Sequence, residues 1–266
     1  MEMVKVYKSV YYIMRSRVSL CSIKYAHTHL KLKHAEFQQR GRAFTTAGLP
    51  QLTVAVDLDE CMVHSRFLEF HESNPLQVDY RQAEFRPQHV KEVNSFECTL
   101  PLGEITVIVN KRPFLDHFLQ EVSDEYRCIS FTASDKQYAS EVLDHLDPGH
   151  HFFHERLYKE SCRHVKGIAL KDLSVISEDL SRVVLIENSY KAILANPDNS
   201  ILVNPFFDNP KDTALEEALG VLRELEGEPD VRPYLRERYQ YARVYRAEIA
   251  ALFRAEGDAA ALPSPL

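Results

Sequence analysis

The stretch TVAVDLDE at positions 53–60 constrains the fold more than any other part of this sequence. Its first four residues are β-branched or small, which is typical of a buried parallel strand. Three carboxylates follow within the next four positions. Like charges clustered at the end of a buried strand are costly unless a cation compensates them. The stretch therefore predicts a central strand whose carboxyl end takes part in chemistry.

Strand-like and helix-like segments alternate along the rest of the chain. This alternation predicts an α/β fold with a Rossmann-like, doubly wound parallel sheet and right-handed crossovers. Two short strands within residues 96–112 predict a small β-hairpin insertion after the first strand, whereas the polar segment 66–94 has little periodicity and predicts no regular structure. The other predicted strands are at 126–132, 154–157, 181–189 and 200–203, and the predicted helices are at 114–122, 135–146, 213–225 and 232–253.

Polar residues stand at the predicted carboxyl ends of three strands. Asp57 and Asp59 follow the first, Thr132 ends the second, and Glu187 with Asn188 ends the third. Ligands of doubly wound sheets bind at this edge, and hard oxygen ligands favour magnesium. One aspartate there can attack phosphorus while a second carboxylate transfers protons. The same DxD spacing also occurs in other metal sites and in acidic turns, which the residues alone leave open.

The distribution of charge limits the classes of partner. Residues 1–45 contain nine Lys and Arg against two Glu, although the whole chain has a net charge of −7. The rest of the chain is therefore strongly acidic, which argues against nucleic-acid binding. No stretch approaches the ~18 uncharged apolar residues that a membrane span requires, so no integral membrane span is expected.

The chain is expected to have three parts. Residues 1–48 form a basic leader, free of acidic residues from position 3 to 35, which is typical of a mitochondrial presequence or of a disordered arm. Residues 49–240 form the catalytic domain. Residues 241–266 contain the end of the last helix and a low-complexity tail expected to be frayed.

Specific motifs support a family resemblance. DLDECMVHS at 57–65 resembles the DLDETLVHS signature of haloacid-dehalogenase-superfamily phosphatases of the FCP/SCP (NIF-like) type. The similarity continues through KRPFLDHFL, ISFTASDKQYAS, IALKDLS and EDLSRVVLIENS, in the family's order and spacing. It extends from about residue 53 to residue 235.

The resemblance implies a function and a role for each matching residue. It implies a haloacid-dehalogenase-type fold and a Mg²⁺-dependent phosphatase for phosphoserine or phosphothreonine in proteins, acting through an aspartyl-phosphate. Asp57 matches the nucleophile and Asp59 the general acid/base. Thr132 and Lys171 match the groups that bind and neutralise the phosphoryl group. The residues assigned to substrate are Lys159 and Ser134, and those assigned to the metal are Asp57, Asp59, Asn188 and Glu187.

Three residues near these motifs depart from the family pattern. Cys61 replaces a threonine, and Tyr190 replaces a proline. Glu187 replaces an aspartate and is one methylene longer. We expect the Glu187 carboxylate to lie at the solvent edge and to reach the metal through a water molecule.

A second function uses the same domain for binding. A presequence-receptor-like subunit of the mitochondrial inner-membrane import translocase also resembles this chain, and import-translocase subunits would then be its partners. The basic leader favours this alternative and a mitochondrial location. The two intact aspartates favour the enzyme, for which the nucleus or cytoplasm is the other expected location.

Overall fold

The computed structural model describes residues 48–71, 74–78, 93–100 and 105–253. The predicted leader, except its last residue, and the predicted frayed tail at 255–266 lie outside the described residues. So do parts of the polar segment 66–94. The described residues include every position to which the sequence assigns a role in the site.

In the described part of the chain, the strands are, in order, β1 (Thr53–Val56), β2 (Val63–His71), β3 (Asn74–Val78), β4 (Ser95–Leu100), β5 (Ile105–Lys111), β6 (Arg127–Phe131), β7 (Glu155–Leu157), β8 (Arg163–Val165), β9 (Ile168–Leu170), β10 (Val183–Glu187) and β11 (Ser200–Leu202). The helices are α1 (Leu115–Glu125), α2 (Lys136–Leu146), α3 (Ala214–Leu225), α4 (Val231–Tyr239), α5 (Tyr241–Val244) and α6 (Arg246–Phe253). Short 3₁₀ turns lie at Lys159–Ser161, Leu173–Val175 and Pro197–Asn199.

The central sheet has five parallel strands in the order β11-β10-β1-β6-β7. β1 lies in the middle, where Val54 is aligned with Val184 of β10 on one side and with Cys128 of β6 on the other. The chain adds β6 and β7 on one side of β1 and then β10 and β11 on the other. The predicted doubly wound parallel sheet is confirmed, and its switch point lies beside β1, where ligands of such sheets bind.

The insertion after β1 is larger than the sequence predicts. The predicted hairpin is present as β4 and β5, but β2 and β3 join it in an antiparallel sheet of order β3-β2-β5-β4. The prediction of no regular structure within 66–94 was therefore wrong for β2 and β3. β2 is specified by pairing with the distant β5, as Phe67 with Val107, and β3 then extends the sheet by pairing with the nearby β2. Local periodicity does not report such pairing.

The helices cover the sheet with amphipathic faces. On α1 the buried residues are Leu115, Phe118, Leu119 and Val122, which follow the predicted helical spacing. Among the described helices, none is both long and apolar enough to cross a bilayer.

The single C-terminal helix predicted at 232–253 is instead three helices. Gln240 interrupts it because its backbone is left-handed, with φ 56° and ψ 30°. The chain resumes as α5 and α6, and α6 buries Ile249, Leu252 and Phe253 in a cluster with Leu170 and Leu194. The last helix therefore packs directly beneath the segment that leads to Lys171.

Candidate active site

The carboxyl edge of the central sheet gathers the predicted residues. Asp57 follows β1, and its backbone N–H donates to the Ile186 carbonyl of β10 at 3.0 Å. Thr132 follows β6 and is buried. Lys171 comes from outside the central sheet, directly after β9, and its N–H donates to the Ala192 carbonyl at 2.9 Å. Three separate segments therefore converge on one point.

A buried ammonium joins two carboxylates at that point. Lys171 is 1% exposed, and its Nζ donates to Asp57 Oδ1 and to Glu187 Oε2, the latter at 2.5 Å. Burial by itself lowers the pKa of Lys171, but the charges of Asp57 and Glu187 outweigh it and raise that pKa. Lys171 is therefore a permanent cation shared between two anions.

The charges of Lys171, Asp57 and Glu187 do not balance. Burial first, and then repulsion from Glu187, raise the pKa of Asp57 well above its ordinary value, although Lys171 acts to lower it. When both buried carboxylates are ionised, the single lysine leaves one negative charge uncompensated. A further cation close to Asp57 would keep its carboxylate ionised.

Asn188 supplies the remaining polar group beside Asp57. When its amide nitrogen faces the two carboxylates, it donates to Asp57 Oδ2 at 3.0 Å and to Glu187 Oε1 at 2.8 Å. When the amide is turned round, its oxygen faces only these acceptors. Converging oxygens of this kind suit a hard cation, so the residues fit a magnesium ion.

The ligand set has few carboxylates. Within the described residues, no group of three or more His, Cys, Asp or Glu side chains is arranged to hold a metal. Magnesium does not need such a group, because it keeps several waters and commonly binds one or two carboxylates together with substrate phosphate oxygens. The site therefore suits magnesium better than a metal that requires an all-protein cage.

Asp59 is held apart from this charged group by two hydroxyls. Ser134 Oγ donates to Asp59 Oδ2 at 2.6 Å, and the Tyr138 hydroxyl donates to Asp59 Oδ1 at 2.5 Å. Burial and the charge of Glu60 raise the pKa of Asp59, while the two hydrogen bonds lower it. A raised pKa suits a carboxyl group that must donate a proton. Sequence reasoning missed Tyr138, which lies within the predicted helix 135–146 and was assigned no role.

Of the predicted substrate groups, Ser134 lies on the turn that follows β6, and Lys159 is bonded to that turn from the 3₁₀ turn after β7. Thr132 Oγ1 accepts from the Ser134 backbone N–H at 3.0 Å, and the Lys159 N–H donates to the Ser134 carbonyl at 3.2 Å. The Lys159 ammonium lies 3.6 Å from Asp135 Oδ2. The structure thus brings Ser134 and Lys159 to the same turn as Thr132. The Ser134 hydroxyl is directed to Asp59.

The expectation that Glu187 lies at the solvent edge was wrong. Glu187 is 2% exposed, and its Oε1 accepts from the backbone N–H groups of Asn188 at 2.9 Å and Ser189 at 2.8 Å. Its extra methylene lets the carboxylate fold back over its own loop while the other oxygen reaches Lys171. Glu187 therefore fixes the loop that presents Asn188.

Cys61, the substitute for the family's threonine, is fully buried. Its Sγ lies 3.8 Å from the Ile186 carbonyl. Burial and the charge of Asp57 raise the pKa of the thiol well above its ordinary value. Cys61 therefore packs as a neutral thiol beneath the nucleophile.

Arg112 is a second residue whose importance the sequence did not reveal. It is 1% exposed and forms a bidentate pair with Asp212, at 2.6 and 2.9 Å. Its guanidinium also donates to the carbonyls of Cys61 at 3.0 Å and Asn204 at 2.7 Å. Arg112 therefore ties the loop after β1 to the segment after β11. The KRP motif gave its position but not these partners.

The sequence over residues 52–232 matches the family model described as NLI interacting factor-like phosphatase. The chain belongs to this family. The matched residues include the whole charged group and both hydroxyls that hold Asp59. The family's haloacid-dehalogenase-type fold agrees with the parallel sheet and its antiparallel insertion.

Several curated members of the NLI interacting factor-like family are similar to this chain. The Dictyostelium discoideum CTD small phosphatase-like protein 2 is 35% identical over 72% of this chain and 30% of its own length. The human carboxy-terminal domain RNA polymerase II polypeptide A small phosphatase 1 is 35% identical over 70% of this chain and 64% of its own length. The zebrafish CTD nuclear envelope phosphatase 1B is 36% identical over 68% of this chain and 70% of its own length. The chain thus spans less than two thirds of the length of the Dictyostelium and human relatives.

Two solved structures of Fcp1, an RNA polymerase II CTD phosphatase, are also similar. One has a TM-score of 0.43 at 23% identity and covers 77% of this chain and 54% of its own. The other, a fission yeast Fcp1 variant bound to beryllium fluoride, has a TM-score of 0.44 at 20% identity and covers 89% of this chain and 71% of its own.

The curated relatives above are all named as phosphatases. The import-translocase alternative, its partner subunits and the mitochondrial location have no support among them.

Replacing Glu187 by alanine tests its buried position. The change removes the acceptor of two backbone N–H groups. Since each unsatisfied buried donor costs about 1–3 kcal/mol, we expect Glu187→Ala to lower the free energy of unfolding by about 2 kcal/mol or more. Urea titration of the full chain measures this change.

Glu121→Ala is the matched control, because the Glu121 side chain is 36% exposed and pairs with Arg223 at the surface. Its expected cost is below about 1 kcal/mol. Equal costs for the two variants would contradict the buried role of Glu187.

Proposed function

We propose that this protein is a Mg²⁺-dependent phosphoprotein phosphatase that hydrolyses phosphoserine or phosphothreonine through an aspartyl-phosphate. The observation that carries the proposal is the pairing of Asp57 with the buried Lys171. Asp59 follows Asp57 by two residues, and its carboxyl group has a raised pKa. The ammonium of Lys171 thus favours the ionised form of Asp57, and Asp59 is kept ready to donate a proton. Phosphoryl transfer to a carboxylate needs both.

In the first step, Asp57 attacks phosphorus and the bond from phosphorus to the serine or threonine oxygen breaks. The departing oxygen takes the proton of Asp59, so the products are the free hydroxyl and an acyl phosphate on Asp57. Lys171 offsets the charge on the phosphoryl oxygens, and Thr132 lies at the end of the neighbouring strand, where its hydroxyl can bind one of them.

In the second step, Asp59 acts as a base. It takes a proton from a water molecule, whose oxygen attacks phosphorus and displaces the Asp57 carboxylate. Inorganic phosphate leaves, and both aspartates return to their first state. The hydrogen bonds from Ser134 and Tyr138 hold the Asp59 carboxylate in one orientation for both transfers.

Magnesium is the proposed cofactor, and it neutralises charge on the phosphoryl oxygens when bound. Asp57 and Asn188 would hold it through their side chains, and Asp59 through its backbone carbonyl. Glu187 would not bind the metal directly, since its two oxygens are engaged by Lys171 and by the backbone, but it would orient the groups around the metal. Groups with this orienting role commonly change metal affinity 10- to 100-fold, so we retain Glu187 as part of the proposed metal site.

The proposed substrate is a phosphorylated serine or threonine in a polypeptide. The relatives from human and zebrafish are named for the RNA polymerase II carboxy-terminal domain and for the nuclear envelope. For this chain we therefore propose a phosphoprotein substrate and a location in the nucleus or cytoplasm.

The nucleophile is tested by Asp57→Asn in the full chain. An amide is a poor nucleophile, so hydrolysis of an aryl phosphate and of a phosphoserine peptide should both fall by about 10³-fold or more, a loss of ~4 kcal/mol in transition-state stabilisation. Beryllium fluoride should inhibit the unchanged enzyme by mimicking the aspartyl-phosphate.

Asp116→Asn is the control for this change, since Asp116 is an exposed carboxylate that pairs with Lys111. It should retain full activity. Activity that survives in Asp57→Asn would remove Asp57 from the mechanism, and insensitivity to beryllium fluoride would count against a covalent intermediate.

The pH dependence of kcat/KM tests Asp59 as the acid. Because Asp59 must be protonated for the first step, activity should fall as pH rises through its pKa. The charge of Glu60 raises this pKa, so Glu60→Gln should move the alkaline limb to lower pH. The Tyr138 hydrogen bond lowers it, so Tyr138→Phe should move the limb to higher pH, by about one unit. Shifts of the same sign in both variants would exclude Asp59 as the group that titrates.

The proposed location is tested by imaging the full-length protein with a C-terminal tag. We expect signal in the nucleus or cytoplasm, whereas co-localisation with a mitochondrial marker would revive the presequence interpretation of the leader.

A further inference from the structure

A short exposed segment follows the candidate metal ligand. Asn188 is half-buried, but the next three residues, Ser189, Tyr190 and Lys191, are exposed. Consecutive Cα atoms lie 3.8 Å apart, so the Cα of Tyr190 is within about 7.6 Å of that of Asn188. Tyr190 therefore stands at the rim of the site, with 36% of its surface accessible.

The Tyr190 ring is fixed by a stack of tyrosines. It lies on the ring of Tyr245, with centroids 4.8 Å apart and an interplanar angle of 20°. Tyr245 lies 6.2 Å from Tyr241, whose hydroxyl accepts from the Leu202 N–H of β11 at 3.1 Å. An exposed aromatic ring that is already immobilised offers contact area at a low cost in conformational entropy.

Two exposed cations adjoin tyrosines of this stack in the chain. Lys191 lies with its Nζ 6.0 Å from the centre of the Tyr190 ring, and Arg246 directly follows Tyr245 in the chain and is exposed. Within the described residues, neither cation forms an ion pair with a carboxylate. The arginines of the nearby helix α4 are paired, as Arg232 with Asp230, Arg236 with Asp198 and Arg238 with Glu224. Lys191 and Arg246 are thus available to an anion in a chain of net charge −7.

We propose that Tyr190 and Tyr245, together with Lys191 and Arg246, bind the polypeptide that flanks the phosphorylated residue and favour an acidic residue there. The anion can be a carboxylate or a second phosphate, since both have the charge and geometry that these cations accept. This inference rests on the proposed phosphatase function. An extended peptide advances about 3.3–3.6 Å per residue, so the favoured acidic position is about two to four residues from the phosphorylated one.

Matched peptides test the preference. Each peptide has one phosphoserine, and the position about three residues away, on either side, is Asp, a non-hydrolysable phosphonate analogue of phosphoserine, Ser or Lys. For the full chain, kcat/KM with an acidic neighbour should exceed that with lysine by about tenfold, or ~1.4 kcal/mol. The advantage should shrink at high salt, because the cations are exposed to solvent.

Two variants assign the preference to this surface. In Lys191→Gln/Arg246→Gln, the ratio of kcat/KM for the acidic and lysine peptides should fall to within about twofold of unity. A ratio taken within one enzyme form cancels any general loss of activity. In Tyr190→Ala, the ratio of peptide to aryl phosphate hydrolysis should fall several-fold. Arg223→Gln, which removes an exposed arginine of α3 that pairs with Glu121, should keep the unchanged ratio.

The outcomes separate this inference from the proposed function. The inference is supported if the full chain prefers the Asp or the phosphonate peptide and the double variant loses that preference. Whichever of these two peptides reacts faster shows whether the surface favours a carboxylate or a second phosphate. Equal rates for all peptides, or a preference that the double variant retains, overturn it. Failure of the full chain to hydrolyse even an aryl phosphate counts against the phosphatase instead. Fluorescence anisotropy of the same peptides on Asp57→Asn then tests the surface independently, with equal affinities overturning the inference.

Discussion

The shared hydrogen bonds of Lys171 to Asp57 and Glu187 determine how the rest of the site is arranged. Lys171 follows β9, Asp57 follows β1, and Glu187 ends β10, so one ammonium fixes three segments that are far apart in sequence. Removing one partner of a buried ion pair commonly costs about 3–5 kcal/mol. The arrangement is therefore rigid, and its uncompensated negative charge lies where the proposed magnesium would bind.

A second set of buried contacts holds the proton-transfer group. Asp59 lies two residues beyond Asp57, but its carboxylate is held by Ser134 and Tyr138 rather than by Lys171. The two carboxylates therefore have different surroundings, a cation for one and neutral hydroxyls for the other. With the proposed magnesium bound beside Asp57, this difference would allow Asp57 to remain ionised as a nucleophile while Asp59 exchanges a proton. Arg112 keeps the connecting loop in place through the Cys61 carbonyl.

Two of the three departures from the family pattern lie at the end of β10 and in the loop that follows it. Glu187 and Tyr190 are both departures, and they lie three residues apart in the same loop. The longer Glu187 accepts the loop's own N–H groups, and Tyr190 is stacked on Tyr245 of the C-terminal region. The two departures thus fix opposite ends of one short segment. This loop connects the proposed chemistry to the proposed recognition of substrate.

Much of this protein was determined by the sequence itself. The apolar run before Asp57 and the alternation of strands and helices predicted the parallel sheet, because side-chain periodicity reflects burial directly. Thr132 and Asn188 were predicted because strand ends of such a sheet meet at one edge, and Lys171 was predicted by the family resemblance of its motif. Only tertiary structure decided β2 and β3, the break at Gln240, the burial of Glu187, and the contacts of Arg112 and Tyr138. β2, Glu187, Arg112 and Tyr138 depend on partners about 15 to 100 residues away, and β3 depends on β2 being in place. The break at Gln240 is a backbone conformation that packing imposes, and local pattern contains none of this information.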